Sequence, residues 1–388
     1  MKINFDEPIN RLNSNSLKWD NMKKLYGVDP KDGLAMWVAD MDFKAPPEVN
    51  ECIKEIGMHG VHGYFGDDQN FKKAMRNWMK KRHDWDIRDE WSSETNGLGS
   101  AISIAIRAFS DPGDEIILFS PVYYSFARII KANNRVIKEF ELDIADGRYT
   151  FNLSQLQKGL SGKEKILVFC SPHNPGGRVW TKKELQEIAK FCIENDLILL
   201  CDEIHAELTY PKNVHHTLLK AAPYVKSNAL VMVSTTKPFN LSGGQMGSVI
   251  IPDTHLRGKF DSVHEATGKM QNKIGMKMAE AAYLHGEPWL DKLIHYLENN
   301  KRCLDEGLET IKGFKSMPLE STYLAWISYK NTGLTPKEFY SLLFKKAKIA
   351  ANVGSTFGKG GDYFFRMNFA CRRAIVEEAV ERLQKTFC

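Results

Sequence analysis

Residues 165–205 contain two short apolar runs with a helical segment between them: KILVFCSPHNPGGRVWTKKELQEIAKFCIENDLILLCDEIH. The first run ends in a turn rich in proline and glycine, and the second ends in acidic residues. Between the runs, Thr181 and Glu184 have the spacing of a capping box, which predicts a helix from Thr181 to Asn195. Continuous apolar runs that alternate with helices are typical of parallel strands buried on both faces of a sheet.

The same alternation continues on both sides of this segment. Further apolar runs are EIILFS (115–120), ALVMVST (229–235) and GSVIIP (247–252). After about residue 287 the pattern changes to longer helices with two strand-like runs, TYLAWISY (322–329) and FFRMNFA (364–370). We therefore predict an α/β fold in which a large domain is built on a mostly parallel sheet and a smaller domain is α+β. The predicted division is an N-terminal arm belonging to the small domain over 1–45, the large domain over 46–287 and the C-terminal small domain over 288–388.

Composition and charge exclude several classes of protein. The 388 residues include 53 Lys+Arg and 48 Asp+Glu, and the resulting charge of +5 is too weak and too dispersed to indicate nucleic-acid binding. No apolar run approaches the roughly 18 residues that would span a bilayer, and the start MKINFDEPIN does not resemble a signal peptide. The seven cysteines are widely spaced without a C-x-x-C motif. We expect reduced thiols, no metal site and a cytoplasmic protein without membrane or nucleic-acid partners.

Polar side chains follow four of the apolar runs. Ligands of open α/β sheets bind beyond the carboxyl ends of the strands. These positions hold a phenol, an amide, a carboxylate with an imidazole, and an amine: Tyr123, Asn174, Asp202, His205 and Lys237. Each one alone also has an ordinary structural explanation, as a core ring, a turn residue, a helix cap, a buried histidine or a surface lysine. Their convergence on one sheet edge favours a ligand site.

A glycine turn precedes the predicted helix over residues 99–110. Gly97-Leu98-Gly99-Ser100 is not a dinucleotide fingerprint, because position 102 is isoleucine. The segment 354–360 is one residue short of a P-loop, and neither H-E-x-x-H nor G-x-S-x-G occurs. The turn remains suited to an anion at a helix N-terminus. An anion site, a lysine, a carboxylate and an aromatic ring together suit pyridoxal phosphate, which needs a lysine for its Schiff base and an acid beside its ring nitrogen.

Several longer motifs resemble those of the fold-type I pyridoxal-phosphate enzymes. They are WVADMDF (37–43), SPHNPGGRVW (171–180), DEIH (202–205) and STTKPFN (234–240). Within the class I/II aminotransferase superfamily, they resemble the subfamily of cystathionine β-lyases and cysteine-S-conjugate β-lyases. Further matches are Gly63-Tyr64, SPVYYSF (120–126), GSTFG (354–358) and Arg366. The resemblance extends from about Ser16 to Leu383 and implies a seven-stranded sheet.

The resemblance implies a role for each residue near the cofactor ring. Lys237 would form the Schiff base and shuttle the proton, and Asp202 would pair with the pyridinium nitrogen. Tyr123 would stack on the ring. Asn174 and His205 would approach the side of the ring oxygen, where Asn174 would also be near the substrate.

The resemblance also implies the residues that surround the phosphate and the substrate. The backbone of Leu98 and Gly99, together with Ser234, would hold the phosphate. Arg366 would bind the α-carboxylate of an amino-acid substrate, for which a bidentate guanidinium is well suited. Tyr64 would reach the cofactor phosphate of a neighbouring subunit, which implies a homodimer with shared active sites.

Three positions depart from the family pattern. Pro238 follows the lysine where threonine is commoner, and the phosphate turn 97–100 replaces a more usual valine-valine-proline. Gln245 stands where many aminotransferases have an arginine, so more of the phosphate charge is left uncompensated. Glutamine at this position is compatible with the lyase subfamily.

The leading functional hypothesis is a carbon–sulfur β-lyase that converts cystathionine or related cysteine S-conjugates to a thiol, pyruvate and ammonia. With cystathionine the thiol would be homocysteine. The first alternative is an aminotransferase on the same scaffold, since the two reactions share their opening steps. The second is a regulatory or binding protein that keeps the fold, although the complete catalytic set argues against a role in binding alone.

Overall fold

The computed structural model describes residues 3–64 and 66–388. Its strands, in chain order, are β1 Leu34–Ala35, β2 Ser92–Thr95, β3 Glu115–Ser120, β4 Val136–Glu141, β5 Asp143–Ala145, β6 Arg148–Thr150, β7 Glu164–Cys170, β8 Ile198–Asp202, β9 Ala229–Val233, β10 Gly247–Ile250, β11 Lys315–Ser316, β12 Leu324–Ser328, β13 Ile349–Ala350, β14 Asn352–Val353 and β15 Phe364–Asn368. Its α-helices are α1 Leu17–Asp20, α2 Met22–Tyr26, α3 Pro47–His59, α4 Gln69–His83, α5 Leu98–Phe109, α6 Ser125–Ala132, α7 Leu153–Gly159, α8 Lys182–Glu194, α9 Leu218–Ala221, α10 Thr254–Ala266, α11 Lys273–His285, α12 Glu287–Glu309, α13 Pro336–Ser341 and α14 Arg373–Phe387.

A seven-stranded sheet with the order β2-β10-β9-β8-β7-β3-β4 forms the centre of the molecule. All neighbouring pairs from β9 through β4 are parallel, and β10 runs antiparallel to both of its neighbours. Successive residues of β7 and β8 enter different core clusters, so Leu167 and Leu199 pack on one face while Val168 and Leu200 pack on the other. The predicted α/β fold with a mostly parallel seven-stranded sheet is confirmed.

The register of the parallel strands brings their carboxyl ends to one edge of the sheet. Cys170 at the end of β7 pairs with Asp202 at the end of β8, and Asp202 pairs in turn with Met232 near the end of β9. The turns that leave β3, β7, β8 and β9 therefore emerge side by side. These turns carry the polar residues that the sequence places after the apolar runs.

A second, antiparallel sheet lies in the C-terminal part of the chain, with the order β11-β12-β15-β14. Strand β15 carries Arg366, which pairs with Trp326 on β12 and with Asn352 on β14. The short strands β1 and β13 pair in parallel, which ties the N-terminal segment to the C-terminal part. The domain boundaries at residues 45 and 287 stay a prediction.

The helix predicted from Thr181 is present as α8, and Thr181 and Glu184 form both hydrogen bonds of the capping box. Among the described residues, no helix combines the length and the apolar character that crossing a membrane requires.

Candidate active site

A cavity of about 220 Å³ lies at the carboxyl edge of the central sheet. Its wall includes the five polar residues that follow the strands: Tyr123, Asn174, Asp202, His205 and Lys237. The turn 97–99 also lines it. The fold thus brings together the groups that the sequence distributes over about 140 residues.

Lys237 is the partly buried amine of this cavity. It lies four residues after the end of β9, and its Nζ donates a hydrogen bond to the carbonyl oxygen of Ala39 at 2.7 Å. Burial lowers the pKa of Lys237 to about 8, and the charge of Arg366 acts in the same direction, whereas Asp40 and Asp202 oppose the shift. A lysine with this pKa has an appreciable neutral fraction near physiological pH, which suits a nucleophile or a general base.

Asp202 is the buried carboxylate of the cavity. It accepts a hydrogen bond from the backbone N–H of Ile204 at 3.1 Å, and within the described part of the chain it has no ion-pair partner at salt-bridge distance. Burial raises the pKa of Asp202 to about 7, although that hydrogen bond and the charge of Lys237 lower it. A cationic ring nitrogen would stabilise the ionised form of a carboxylate that is buried without an ion-pair partner.

His205 and Asn174 are both buried beside Asp202. Burial lowers the pKa of His205 to about 3, helped by the charges of Lys237 and Arg366, so its imidazole is neutral. Its Nδ1 is buried without a hydrogen-bond partner among the residues that the structure describes. The Oδ1 atom of Asn174 accepts a hydrogen bond from Arg366 at 2.9 Å, which connects the cavity to the second sheet.

Arg366 is 1% exposed. Its guanidinium donates to three neutral oxygens, which are Asn174 Oδ1, Asn352 Oδ1 at 2.7 Å and the Trp37 carbonyl at 3.1 Å. It also lies 4.8 Å from the ring centroid of Phe357. Across residues 3–64 and 66–388, no carboxylate approaches it to salt-bridge distance. A buried guanidinium with neutral partners favours the binding of an anion.

The start of α5 lines the same cavity and provides an anion site. Gly97 has φ +81°, a conformation that favours glycine, and it caps the helix without a side-chain hydrogen bond. Backbone N–H groups in the first turn of a helix lack intrahelical partners. Leu98 and Gly99 are the first two residues of this helix, and Gln245 lines the same cavity. The arrangement suits a phosphate group.

Three of the predicted site residues do not line this cavity: Ser234, Tyr64 and Arg366, the last of which contacts it through Asn174. The Ser234 hydroxyl is hydrogen-bonded to the Met246 carbonyl oxygen at 2.6 Å and lies 2.7 Å from Thr236 Oγ1, and Thr236 lines the cavity instead. Tyr64 is 89% exposed and does not approach the cavity of its own chain. Phe65, which follows it in the glycine-flanked loop, is outside the described residues. The roles of Ser234 and Tyr64 stay predictions.

Sequence reasoning missed two groups that belong to the site. The carbonyl of Ala39 accepts from Lys237, and a backbone atom leaves no signal in side-chain chemistry. Arg128 lines the cavity from α6, one helical turn after Tyr124. The spacing of Arg128 from Ser125, which also lines the cavity, could have indicated it, because residues three apart share a helix face.

These groups fit pyridoxal phosphate. The carboxylate of Asp202, which has no ion-pair partner among the described residues, suits the protonated ring nitrogen. Lys237 can form the imine, and the start of α5 suits the phosphate. A mostly parallel sheet with this set of groups at its carboxyl edge defines a pyridoxal-phosphate enzyme of fold type I. The chain belongs to the aminotransferase class I and II family, whose model matches residues 33–383.

Comparisons with individual proteins agree with this assignment. The chain is 34% identical to the cystathionine beta-lyase PatB of Bacillus subtilis, covering 98% of this chain and 99% of that protein. It is 26% identical to the protein MalY of Escherichia coli, with 98% of each chain covered. The crystal structure of cystalysin from Treponema denticola, which contains pyridoxal 5'-phosphate, superposes with a TM-score of 0.95 at 37% identity, covering 100% and 99% of the two chains. The resemblance found in the sequence is confirmed.

Proposed function

We propose that the protein is a pyridoxal-phosphate-dependent carbon–sulfur β-lyase that acts on cysteine S-conjugates such as L-cystathionine. The observation that carries the proposal is the buried guanidinium of Arg366, which has no carboxylate partner in the part of the chain that the structure describes. It is connected through Asn174 to the cavity that holds Lys237. An α-amino acid has the matching pair of groups, a carboxylate for Arg366 and an amine beside Lys237. The relatives named as cystathionine beta-lyases support the choice of a β-lyase.

Two residues orient the substrate and move its proton. Arg366 binds the α-carboxylate and fixes the position of Cα, with Asn174 and Asn352 holding the guanidinium in place. The Lys237 amine, whose pKa is lowered to about 8, accepts the Cα proton. The bound cofactor supplies the electron sink that makes this proton acidic.

Asp202, His205 and Tyr123 support the cofactor. Asp202 would pair with the ring nitrogen and favour its protonated form, because a buried carboxylate stabilises a cationic partner. The neutral His205 imidazole lies in the cavity wall beside it, and Tyr123 offers an aromatic face for stacking.

The chemistry balances without an external oxidant or acceptor. The bond between Cβ and sulfur breaks, the sulfur leaves with a proton as a thiol, and water is consumed. L-Cystathionine and water thus give homocysteine, pyruvate and ammonia. An aminotransferase would instead keep the Cβ–sulfur bond and require a keto acid to accept the amino group.

We also propose a homodimer with shared active sites. A groove of about 700 Å³ lies between α3 and α11, away from the cavity. Large apolar side chains are exposed on and around these helices: Met58, Val61, Met270, Ile274 and Leu284. A second copy covering this surface would explain both this exposure and that of the Tyr64 side chain, which would reach the partner's cofactor phosphate.

The seven free cysteines are compatible with the expected cytoplasmic location.

The proposed reaction is tested by incubating the purified holoenzyme with L-cystathionine in the absence of any keto acid. We expect pyruvate and homocysteine in equal amounts over many turnovers. L-2-Aminobutyrate, which has no β-leaving group, serves as the negative control and should give no pyruvate. A strict requirement for an added keto acid would contradict the lyase assignment and favour the aminotransferase.

A further inference from the structure

One short segment of backbone contacts both of the groups that would bind an amino acid. In this bridging segment, residues 37–41, the carbonyl of Trp37 accepts from Arg366 Nη2 at 3.1 Å. Two residues further on, the carbonyl of Ala39 accepts from Lys237 Nζ at 2.7 Å. This segment therefore contacts the guanidinium and the amine together, and a shift of its backbone would disturb a hydrogen bond of each.

Four charged residues hold the end of the bridging segment in place. This arm cluster consists of two cations from the N-terminal arm, Arg11 and Lys18, and two acids, Asp40 and Asp42. Arg11 contacts both oxygens of Asp40 at 2.9 Å and also Asp42 Oδ1 at 2.7 Å. Lys18 Nζ lies 2.8 Å from Asp42 Oδ2 and 3.2 Å from the carbonyl oxygen of Asp40. The contacts thus reach both the side chains and the backbone of the segment.

The arm cluster is partly buried and electrically balanced. The Lys18 side chain is 1% exposed, and those of Arg11 and Asp42 are 21% and 11% exposed. The two positive and two negative charges compensate one another. Removing one partner of such a group leaves an uncompensated charge in a poorly solvated place, so the remaining residues must move to recover a partner or water.

The cluster is also electrostatically connected to the catalytic lysine. Arg11 and Lys18 hold the pKa of Asp40 below its usual range, although burial alone would raise it. The ionised Asp40 in turn opposes the lowering of the Lys237 pKa. Lys237 faces the charged groups Asp40, Asp202 and Arg366, with the neutral His205 and the Tyr323 hydroxyl also packed near it.

We propose that the arm cluster is a positioning element of the active site, in which Arg11 and Lys18 set the bridging segment at the distance that lets Arg366 and Lys237 bind one amino acid together. The inference rests on the proposed function for the identity of the ligand, an α-amino acid. Arg11 and Lys18 are positioning residues, because they act on the ligand through the backbone of residues 37–41.

The first test measures amino-acid binding in the holoenzyme with Arg11→Met. Arg11 is the most exposed cation of the cluster, so its replacement leaves a smaller void than a change at Lys18. The dissociation constant for L-alanine, followed through the visible absorption of the cofactor, should rise about tenfold. The conservative variant Arg11→Lys should restore part of the affinity. The matched control is Lys23→Met, which breaks the exposed Lys23–Asp29 pair of 2.8 Å in the same arm and should bind L-alanine like the wild type.

The second readout is the midpoint of the pH titration of the visible absorption of the holoenzyme. Without Arg11, the charge of Asp40 is less compensated and favours the protonated form of the Lys237 nitrogen. The midpoint should therefore move to higher pH in Arg11→Met and stay in place in Lys23→Met. A loss of structural stability alone would lower the melting temperature without moving this midpoint.

Wild-type affinity for L-alanine together with a wild-type titration midpoint in Arg11→Met would overturn the proposal. If this variant does not fold, Asp42→Asn, which keeps the shape of the side chain, should show the same loss of affinity. If neither variant folds as holoenzyme, the arm cluster is required for folding, and this result would also overturn the proposal. L-Alanine binding does not require β-elimination, so failure of the lyase assignment would leave both readouts measurable.

Discussion

Burial shifts Lys237 and Asp202 toward their neutral forms, in opposite directions on the pH scale. The pKa of the amine is lowered to about 8 and that of the carboxyl is raised to about 7. Each shift reflects a charged form that burial disfavours, although nearby opposite charges oppose it. A cofactor that joins the lysine and presents a cationic ring nitrogen to the carboxylate satisfies both residues.

Replacing the carboxylate of Asp202 by an amide tests its role. Asp202→Asn keeps the shape of the side chain but loses the charge that stabilises a protonated ring nitrogen. We expect cofactor affinity and kcat/KM each to fall by about 10- to 100-fold, as for the loss of one charged hydrogen bond. Dialysis followed by absorption spectroscopy measures the first effect, and steady-state kinetics measures the second. The control is Asp196→Asn, at an exposed turn before β8, and equal behaviour of the two variants would contradict the assignment.

The Arg366→Lys variant tests whether the guanidinium binds the substrate carboxylate through two hydrogen bonds. An ammonium cannot reproduce the bidentate contact with a carboxylate, so KM for the amino-acid substrate should rise by about 10- to 100-fold. The visible spectrum of the bound cofactor should remain, since Arg366 is not placed on the cofactor. Arg302→Lys on α12 is the exposed control. An unchanged KM would exclude Arg366 from carboxylate binding.

At the residue scale, the sequence predicted which side chains meet at the carboxyl edge of the sheet, while their roles stay predictions. Asn174, Asp202 and Lys237 could be predicted because parallel strands bring their carboxyl ends to one edge. The contact of Lys237 with the Ala39 carbonyl could not, because it joins backbone to side chain across 198 positions. Ser234 was assigned by resemblance alone, and its hydroxyl contacts the Met246 carbonyl in this structure.

At the scale of elements, the apolar runs predict the buried strands of the central sheet and miss those at its edges. Strands β3, β7, β8 and β9 are continuous apolar segments because helices cover both of their faces. The edge strands β2 and β4 read SSET and VIKEFE, in which polar residues interrupt the pattern. Edge strands have one neighbour and tolerate such residues, so the pattern alone does not reveal them.

Strand β2 nevertheless contains a buried acid whose ionisation makes stability depend on pH. Burial raises the pKa of Glu94 to about 7, against the nearby charge of Lys72. The pKa is higher in the folded chain than in the unfolded chain, so the folded state binds the extra proton. The stability that the folded state gains by binding this proton is fully present below about pH 4.5. It is lost as the pH rises through about 7.

The Glu94→Gln variant should lack this pH dependence. Between pH 5 and 8 its free energy of unfolding should rise relative to that of the wild type, by on the order of 1–3 kcal/mol. Melting temperatures measured across this range, with Glu90→Gln as the exposed control, provide the comparison. A difference between Glu94→Gln and wild type that stays constant with pH would contradict the assignment.

At the scale of the whole molecule, the site depends on parts of the chain that lie far apart. The central sheet provides Lys237 and Asp202, the second sheet provides Arg366, and the N-terminal segment is tied to the C-terminal part by β1 and β13. The apolar runs in the sequence indicate the strands of each sheet separately. They do not indicate how the arm packs, because the buried apolar residues of the arm, such as Met22 and Trp37, follow no regular spacing and ion pairs of Arg11 and Lys18 also hold it.

The proposed shared site is tested by subunit complementation. One parent carries Tyr64→Phe and the other carries Lys237→Ala, and the two are mixed under conditions of subunit exchange. In a hybrid, one of the two sites has both the wild-type Lys237 and the partner's wild-type tyrosine, so activity should exceed that of either parent. In the control mixture, the Tyr64→Phe parent is exchanged for a parent that carries Tyr224→Phe, a change at another exposed tyrosine. Verified hybrids without a gain, given a measurable defect in Tyr64→Phe, would exclude a shared site.

The attachment of the cofactor to Lys237 is tested most directly by reducing the holoenzyme with borohydride and mapping the labelled peptide. Reduction converts the imine to a stable amine, so the pyridoxyl group stays on the lysine that carried it. We predict a single label, on the peptide that contains Lys237, and no label in the Lys237→Ala protein treated in the same way. A label on any other lysine of the wild-type enzyme would contradict the assignment of this site.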